Sequence, residues 1–480
     1  MLSQILSLNE ARVLVIGDVM IDKYVSGKTQ RLSPEAPVPV IRPDARWSVP
    51  GGAANVAMNI ASLGATVGLI CALSNDPASA ELSAALTNSG VAIFPIESNR
   101  QTPVKTRIRT DLQHIVRIDD EIITPLDVDD QVLLIAEEQL VSGSFNVLLI
   151  SDYAKGLLNE VLLKSLILLG NGLSIPVITD PKSTNPSDYE NVTLLKPNLH
   201  EARALLSDEV QVENGSELIQ VAQSVRAVTK AESVVVTAAG LGSALASESH
   251  STYFKAIPDL VVRDVSGAGD TFISYLSAGI SSGAEIGEVC QIATLAASLS
   301  CRSVGTTPVS TSELAVFLIT EFDESGRKVV SREVLKELIE FLPRPIVFTN
   351  GCFDVLHPGH IKSLEFAKSQ GRTLIVGCNS DLSVTRIKGP NRPLQDFDSR
   401  SAVLAALSCT SIICELTEDT PFELIEIVQP DVLVKGADYL DKEVVGRSIV
   451  ESRGGHVELS PTVSGFSTSE FENRIRRLLN

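Results

Sequence analysis

The chain has 480 residues, more than one average domain needs, and 44% of them are hydrophobic, enough for full cores and too many for wholesale disorder. Its 59 acidic residues outweigh 40 basic ones, giving a net charge of −19. That balance excludes a broad nucleic-acid or anionic-membrane surface, so an anionic small molecule would need a site that is basic only locally. The seven cysteines are odd in number and scattered without a Cys-x-x-Cys pair, so neither a disulfide framework nor a structural zinc site is indicated. The N-terminus lacks the basic and apolar regions of a secretory signal, and no apolar run reaches spanning length without charges. A soluble cytoplasmic protein is the expectation.

From Arg12 onward, short β-rich runs alternate with longer helical patterns. Val13 to Ile16, Val67 to Ala72, Val147 to Ile150, Val177 to Thr179, Thr193 to Leu195 and Val234 to Val236 read as strands. Most are apolar on consecutive positions, which suits strands covered on both faces in a parallel α/β sheet. Asp18, Asp152, Asp180, Asn198 and Thr237 follow these runs directly, where open α/β sheets bind ligands. Arg31 to Val40 is proline-dense and reads as an extended edge or lid strand. Lys105 to Asp120 alternates basic and apolar residues and reads as a second piece of that lid.

Leu260 to Val262 reads as a short buried strand leading into Asp264-Val265-Ser266-Gly267-Ala268-Gly269-Asp270-Thr271, with a helix over Phe272 to Gly279. A strand, a glycine-rich turn and a helix start gather backbone N–H groups around one anion-sized space. Gly267 and Gly269 keep side chains out of it, and Asp270 puts a carboxylate at its rim. Donors that hold a phosphate, beside a carboxylate that takes a hydroxyl proton, are what γ-phosphoryl transfer to an alcohol requires. Alone, the Gly-x-Gly-Asp run is more often an ordinary strand-to-helix turn with a capping Asp, so the other motifs decide.

Residues 321–343 turn charged and end in prolines, and read as a connection between a first domain over 1–320 and a second over 344–480. The second series of strands is Ile346 to Thr349, Thr373 to Gly377, Ser411 to Cys414, Val432 to Val434 and His456 to Leu459. Thr349-Asn-Gly-Cys-Phe-Asp-Val-Leu-His-Pro-Gly-His360 follows the first of these and opens a helix. His357 and His360, three apart, share one face at the positive helix end, and Pro358 suits a first turn. That pair neutralises charge on an α-phosphate and its leaving group. Two histidines are also half a zinc site, but His456 is the single later histidine available to extend it.

Gly51-Gly52-Ala53-Ala54-Asn55, Lys196-Pro197-Asn198-Leu199-His200-Glu201 and Asp264 to Asp270, in that order, resemble the signatures of the ribokinase-like (phosphofructokinase-B) family. The resemblance implies an α/β/α kinase domain with a small β lid. It implies Asp270 as catalytic base and the amides of Gly267, Ala268 and Gly269 on the transferring phosphoryl. Asn198, Leu199, His200 and Glu201 fall to nucleotide and Mg2+ (Glu201 through metal-bound water), and Asp18, Gly51, Gly52 and Asn55 to the sugar. Thr349 to His360 resembles the cytidylyltransferase-like His-x-Gly-His family, a Rossmann-like fold. There His357 and His360 are implied as catalytic, and Asn350, Gly351, Lys388, Lys435, Ser467 and Thr468 as nucleotide contacts. Ser467 with Glu470 is also a capping box.

A kinase of the first kind fused to a transferase of the second resembles bifunctional heptose 7-phosphate kinases/heptose 1-phosphate adenylyltransferases of lipopolysaccharide-core synthesis. That resemblance implies ATP as substrate in both halves, with Lys105, Arg107, Arg109, Arg117, Lys155 and Lys182 as the cations offered to a sugar phosphate. Two alternatives stay open: another sugar kinase fused to a cytidylyltransferase, and a sugar- or nucleotide-binding regulator with one inactive domain. Edge pairing near Pro34 to Pro39 suggests a homodimer through the kinase domain.

Overall fold

The computed structural model describes residues 2–110, 114–258, 260–302, 305–320, 328–340, 342–436 and 444–461. The chain divides into two compact units, Met1–Thr311 and Ser312–Asn480.

The first unit is built on a nine-stranded sheet among the described residues. Its order is Ser251–Lys255, Gly242–Ala246, Ser233–Thr237, Leu194–Leu195, Val177–Asp180, Val147–Ser151, Arg12–Gly17, Thr66–Ser74, Ala92–Ser98. Pairing is parallel from Ala92–Ser98 through Ser233–Thr237 and antiparallel over the last two strands. The continuous apolar runs explain this, because helices cover both faces. Asp129–Val141, Glu160–Gly172 and Gly215–Thr229 pack on the face of Leu14, Ile16, Leu148 and Ile150. Ala53–Ser62, Ala268–Ser281 and Ile286–Ser300 pack together and against the sheet on the other side.

A separate four-stranded sheet, ordered Pro39–Gly52, Val19–Leu32, Val104–Arg109, His114–Asp120, forms the lid. Its strand Val19–Leu32 leaves the central strand Arg12–Gly17 with Asp18 alone between them. Two expectations change here. The proline-dense segment Arg31 to Val40 is extended only at its ends, and residues 33–38 close the hairpin, with the Ser33 amide donating to the Val38 carbonyl at 2.8 Å. Pro34 and Pro37 fix φ and offer no ladder donors, which favours a turn over a strand. Leu260 to Val262 forms no strand either: Val261 and Val262 are 74% and 56% exposed. The sheet edge is instead closed by the antiparallel pair Gly242–Ala246 and Ser251–Lys255.

The second unit carries a six-stranded sheet, parallel throughout, among the described residues. Its order is Val329–Val330, Ile412–Leu416, Thr373–Asn379, Ile346–Gly351, Val432–Gly436, His456–Ser460. Residues 328–342, which read as part of the connection, supply its edge strand and the helix Arg332–Leu338. Leu335 and Leu342 enter this unit's core, and Ser331 caps the helix by accepting from the Val334 amide. Among the described residues no helix is long and apolar enough to cross a membrane.

Candidate active sites

In the first unit the turn before the helix Ala268–Ser281 lies open to a cavity of about 610 Å³. Gly267 caps the helix at φ 79°, and a Cβ there would stand 2.8 Å from Thr306 Cγ2. Its left-handed backbone and the missing side chain are both needed. Asp270, in the first turn, accepts from the Tyr153 hydroxyl on Oδ1 and from Asn55 Nδ2 on Oδ2, each at 2.6 Å. Burial pushes its carboxyl above the ordinary carboxylate range, and the Tyr153 and Asn55 bonds pull it back.

The other motif residues line the same cavity. Asn198 caps the helix Leu199–Leu206 in a reciprocal box with Glu201: each backbone amide donates to the other's side chain at 2.9 Å. Glu201 also pairs with Lys182, and the buried Lys196 holds Asp180 Oδ2 at 2.9 Å. Burial pushes both Asp152 and Asp180 up to about 6; Lys182 pulls both back in part, and Lys196 pulls back Asp180. Of the block 198–201, Leu199 is a helix residue packed against the core and His200 is exposed on the surface. The far wall is apolar, with Ile257, Leu260, Val262, Phe272, Ala297 and Cys301. Leu260 and Val262 thus line this cavity.

Asp18, expected at the sugar, is 2% exposed and already occupied. It accepts from the amides of Lys155 at 2.8 Å, Leu157 at 3.1 Å and Tyr153 at 3.4 Å. It fixes the loop after strand Val147–Ser151. Gly51 and Gly52 are buried at the end of the lid strand: a Cβ on Gly51 would meet Asp22 Oδ2 at 2.6 Å, and Gly52 has φ 65°. Asn55, which the resemblance gives to the sugar, also holds Asp270. On the lid, Arg107 pairs with Asp22 and lies 5.5 Å from the Tyr24 ring centroid. Burial, and then the charge of Lys155, lower the pKa of Lys105. Lys155 in turn pairs with Glu121 at 2.6 Å.

In the second unit the strand Ile346–Gly351 stands between Thr373–Asn379 and Val432–Gly436, the point where strand order reverses and open sheets bind ligands. Lys435 at the end of one strand donates to Asn350 Oδ1 at the end of the next. Beyond them His357 caps the helix Pro358–Ser369, and the His357 and His360 rings stack with centroids 3.8 Å apart. Both Nδ1 atoms are buried without a hydrogen-bond partner. Burial lowers the pKa of both imidazoles, that of His360 to about 4, and Lys388 at the end of Asp381–Lys388 lowers both further. The rings are therefore neutral at neutral pH and half-buried, poised to meet an anion. A Cβ on Gly351 would press on the Phe353 ring at 3.2 Å, and that ring in turn lies edge-on to His360. Ser467 and Thr468 lie outside the described residues.

Sequence reading gave no role to Tyr153, Asp354 or Arg400. Arg400 is 1% exposed and donates to the Cys352 carbonyl at 2.6 Å, Asp381 Oδ1 at 2.6 Å and the Gln395 carbonyl at 3.0 Å. Asp354 accepts from the Leu394 amide at 2.6 Å and pairs with Arg392. Together they pin the segment ahead of His357. The available signal was Arg400 four residues before Leu404, on the inward face of helix Phe397–Ala405.

Comparison with known proteins agrees with this geometry. Residues 10–313 match the pfkB family of carbohydrate kinases, and residues 348–474 match the cytidylyltransferase-like family. The bifunctional protein HldE of Trichlorobacter lovleyi is 40% identical over 473 residues, 97% of this chain and 95% of its own length. That of Gluconobacter oxydans is 40% identical over 467 residues, covering 95% and 96%. Phosphofructokinase-2 from Escherichia coli, in a tetrameric inhibited form, superposes with a TM-score of 0.52 at 20% identity, over 61% of this chain and 94% of its own. Ribokinase from Thermotoga maritima gives 0.51 at 18%, over 64% and 99%. Those two likenesses speak for the fold of the first unit. The chain belongs to the pfkB family of carbohydrate kinases and, over nearly its full length, to the family of the bifunctional HldE proteins, a kinase joined to a nucleotidyltransferase.

Proposed function

We propose that this chain makes ADP-heptose in two chemically separate steps. In the first unit the C1 hydroxyl of heptose 7-phosphate attacks the γ-phosphorus of ATP, the bond to the β–γ bridging oxygen breaks, and ADP leaves. Asp270 takes the hydroxyl proton, and the amides of Gly267, Ala268 and Gly269 face the charge that develops on the phosphoryl oxygens. The observation that carries this reading is Asp270 itself, a carboxylate held at both oxygens on the rim of a phosphate-sized turn.

Asn198 and Glu201 are assigned to the nucleotide phosphates, Gly51 and Gly52 to close approach of the sugar. Lys105 and Arg107 are assigned to the 7-phosphate, where an anion would relieve the mutual repulsion of Lys105 and Lys155. Among the described residues no three His, Cys, Asp or Glu side chains converge on an ion-sized space. Mg2+ fits this donor set when carried by the nucleotide with its own waters, near Glu201 and the under-compensated Asp180. Bound there, it would neutralise phosphate charge.

In the second unit an oxygen of heptose 1-phosphate, formed after a separate phosphatase has acted, attacks the α-phosphorus of ATP and pyrophosphate leaves. Neutral His357 and His360 donate hydrogen bonds to the phosphates at a positive helix end, with Lys388 and Lys435 adding charge and Asn350, Gly351, Ser467 and Thr468 placing the nucleotide. The setting we assign is cytoplasmic synthesis of the lipopolysaccharide core. We also assign a homodimer through the lid, whose exposed Leu32, Val38, Val116 and Ile118 offer an apolar face. The test is to incubate the protein with ATP or CTP and a panel of sugar phosphates and resolve products by mass. Heptose 1,7-bisphosphate and ADP-heptose are expected; products from another sugar or from CTP in their place would overturn the assignment.

A further inference from the structure

We propose that Tyr153 is a positioning residue for sugar phosphorylation: its hydroxyl, fixed by the loop that Asp18 anchors, holds Asp270 in the orientation that receives the substrate proton. The proposal rests on the reading of Asp270 as the base and adds to it a partner from a different part of the fold. Asp270 sits in the first turn of Ala268–Ser281, whereas Tyr153 sits two residues beyond the strand Val147–Ser151. Folding brings them together at 2.6 Å across the cavity that both line.

The loop carrying Tyr153 is built for fixed geometry. Ala154 adopts φ 52°, a left-handed conformation that alanine rarely takes, and its amide donates to Asp152 Oδ1 at 2.7 Å. The Asp18 carboxylate accepts three amides from the same loop, so the tyrosine ring is placed by the backbone and not by chance side-chain packing. On the opposite oxygen, Asn55 Nδ2 completes the clamp, and Asn55 is itself held by Asn59 Nδ2 at 3.1 Å from its Oδ1. With one donor per oxygen the carboxylate cannot rotate, and each oxygen keeps a lone pair for the cavity.

Tyr153 does not itself exchange a proton during turnover. Burial, and then the neighbouring Asp270 and Asp180 charges, hold its hydroxyl well above the usual tyrosine range. Its effect is electrostatic and geometric. A donor to a carboxylate favours the ionised form, so removing it raises the carboxyl pKa and leaves the base protonated up to a higher pH.

The experiment is a pH profile of sugar phosphorylation by the full chain with Tyr153→Phe. The expected result is an acid limb displaced to higher pH, with a loss of about tenfold or more on the acid side that shrinks at alkaline pH, since a hydrogen bond to a charged group is worth about 1.5–3 kcal/mol. Circular dichroism and a thermal melt against the unsubstituted chain report that the first unit is folded, and adenylyl transfer is expected to be unchanged. An acid limb that does not move, whether or not turnover falls, overturns the proposal. If the phenylalanine variant does not fold, 3-fluorotyrosine placed at position 153 gives a stronger donor and is expected to move the limb the opposite way; no movement again overturns it. Asp270→Asn separates the two levels: if it leaves phosphorylation intact, the reading of the base fails, whereas an inactive Asp270→Asn beside an unmoved Tyr153→Phe removes only the role of Tyr153.

Discussion

In each unit the candidate site lies at the start of a helix, yet the side chains at the two helix starts have opposite chemistry. In the first, Asp270 brings a buried carboxylate to the turn, and the cavity around it gathers Asp152, Asp180 and Glu201 against Lys182 and Lys196. In the second, two stacked imidazoles occupy the same place relative to the helix, with Lys388 and Lys435 nearby and no carboxylate among the groups that shift His360. The difference follows from what each reaction does with its proton. A sugar hydroxyl must lose one as it attacks, so a base is needed beside the phosphate. A sugar phosphate attacks as an anion already, so the site needs only donors for accumulating negative charge. The geometry of a strand leading to a helix is common to both, and the chemistry is set by one or two side chains.

The sharpest way to break this contrast is to remove each group and read both reactions. Asp270→Asn keeps the shape and loses the base, so sugar phosphorylation is expected to fall about 10³-fold, with adenylyl transfer unchanged. His360→Ala is expected to lower adenylyl transfer about 10²–10³-fold and spare the kinase. Coupled loss of both activities in a folded protein would mean that the two sites are not independent. Arg400→Leu leaves Asp381 and the Cys352 carbonyl without their donor, and is expected to destabilise the second unit by about 3–5 kcal/mol in a denaturant titration, with kinase activity retained.

The smallest effect is one of pH. His360 titrates near 4 in the folded protein and near 6.5 when unfolded, so between those values the unfolded chain binds more protons. Stability of the second unit is therefore fully present above about pH 6.5 and declines as pH falls toward 4. His360→Asn is expected to flatten that decline in a thermal-unfolding series. An unchanged slope would mean that the imidazole is not buried neutral.

The inner strands of both sheets were legible because they are apolar on consecutive positions, a signal that needs no tertiary information. Ala92–Ser98, Gly242–Ala246, Ser251–Lys255 and Val329–Val330, toward the sheet edges, were not. The motifs of the two candidate sites were legible because glycines and histidines at fixed spacing have few other uses. What escaped is what depends on distance in the fold. Asn55 is 215 positions from Asp270 and Tyr153 is 117, so nothing local indicates that they share one carboxylate. Val261 and Val262 carry strand-like composition, but the edge position was taken by a hairpin and they were left beside the cavity. Arg400 reads as a surface helix residue until the loop it closes comes into view.

Asp18 stands at the junction between the central sheet and the lid, with both oxygens accepting from amides of the loop that bears Tyr153 and Lys155. The loop is thereby ordered when the chain folds, so a sugar arriving later meets groups already in place and loses little affinity to arranging them. A buried acid thus bears on sugar binding through the loop that it holds.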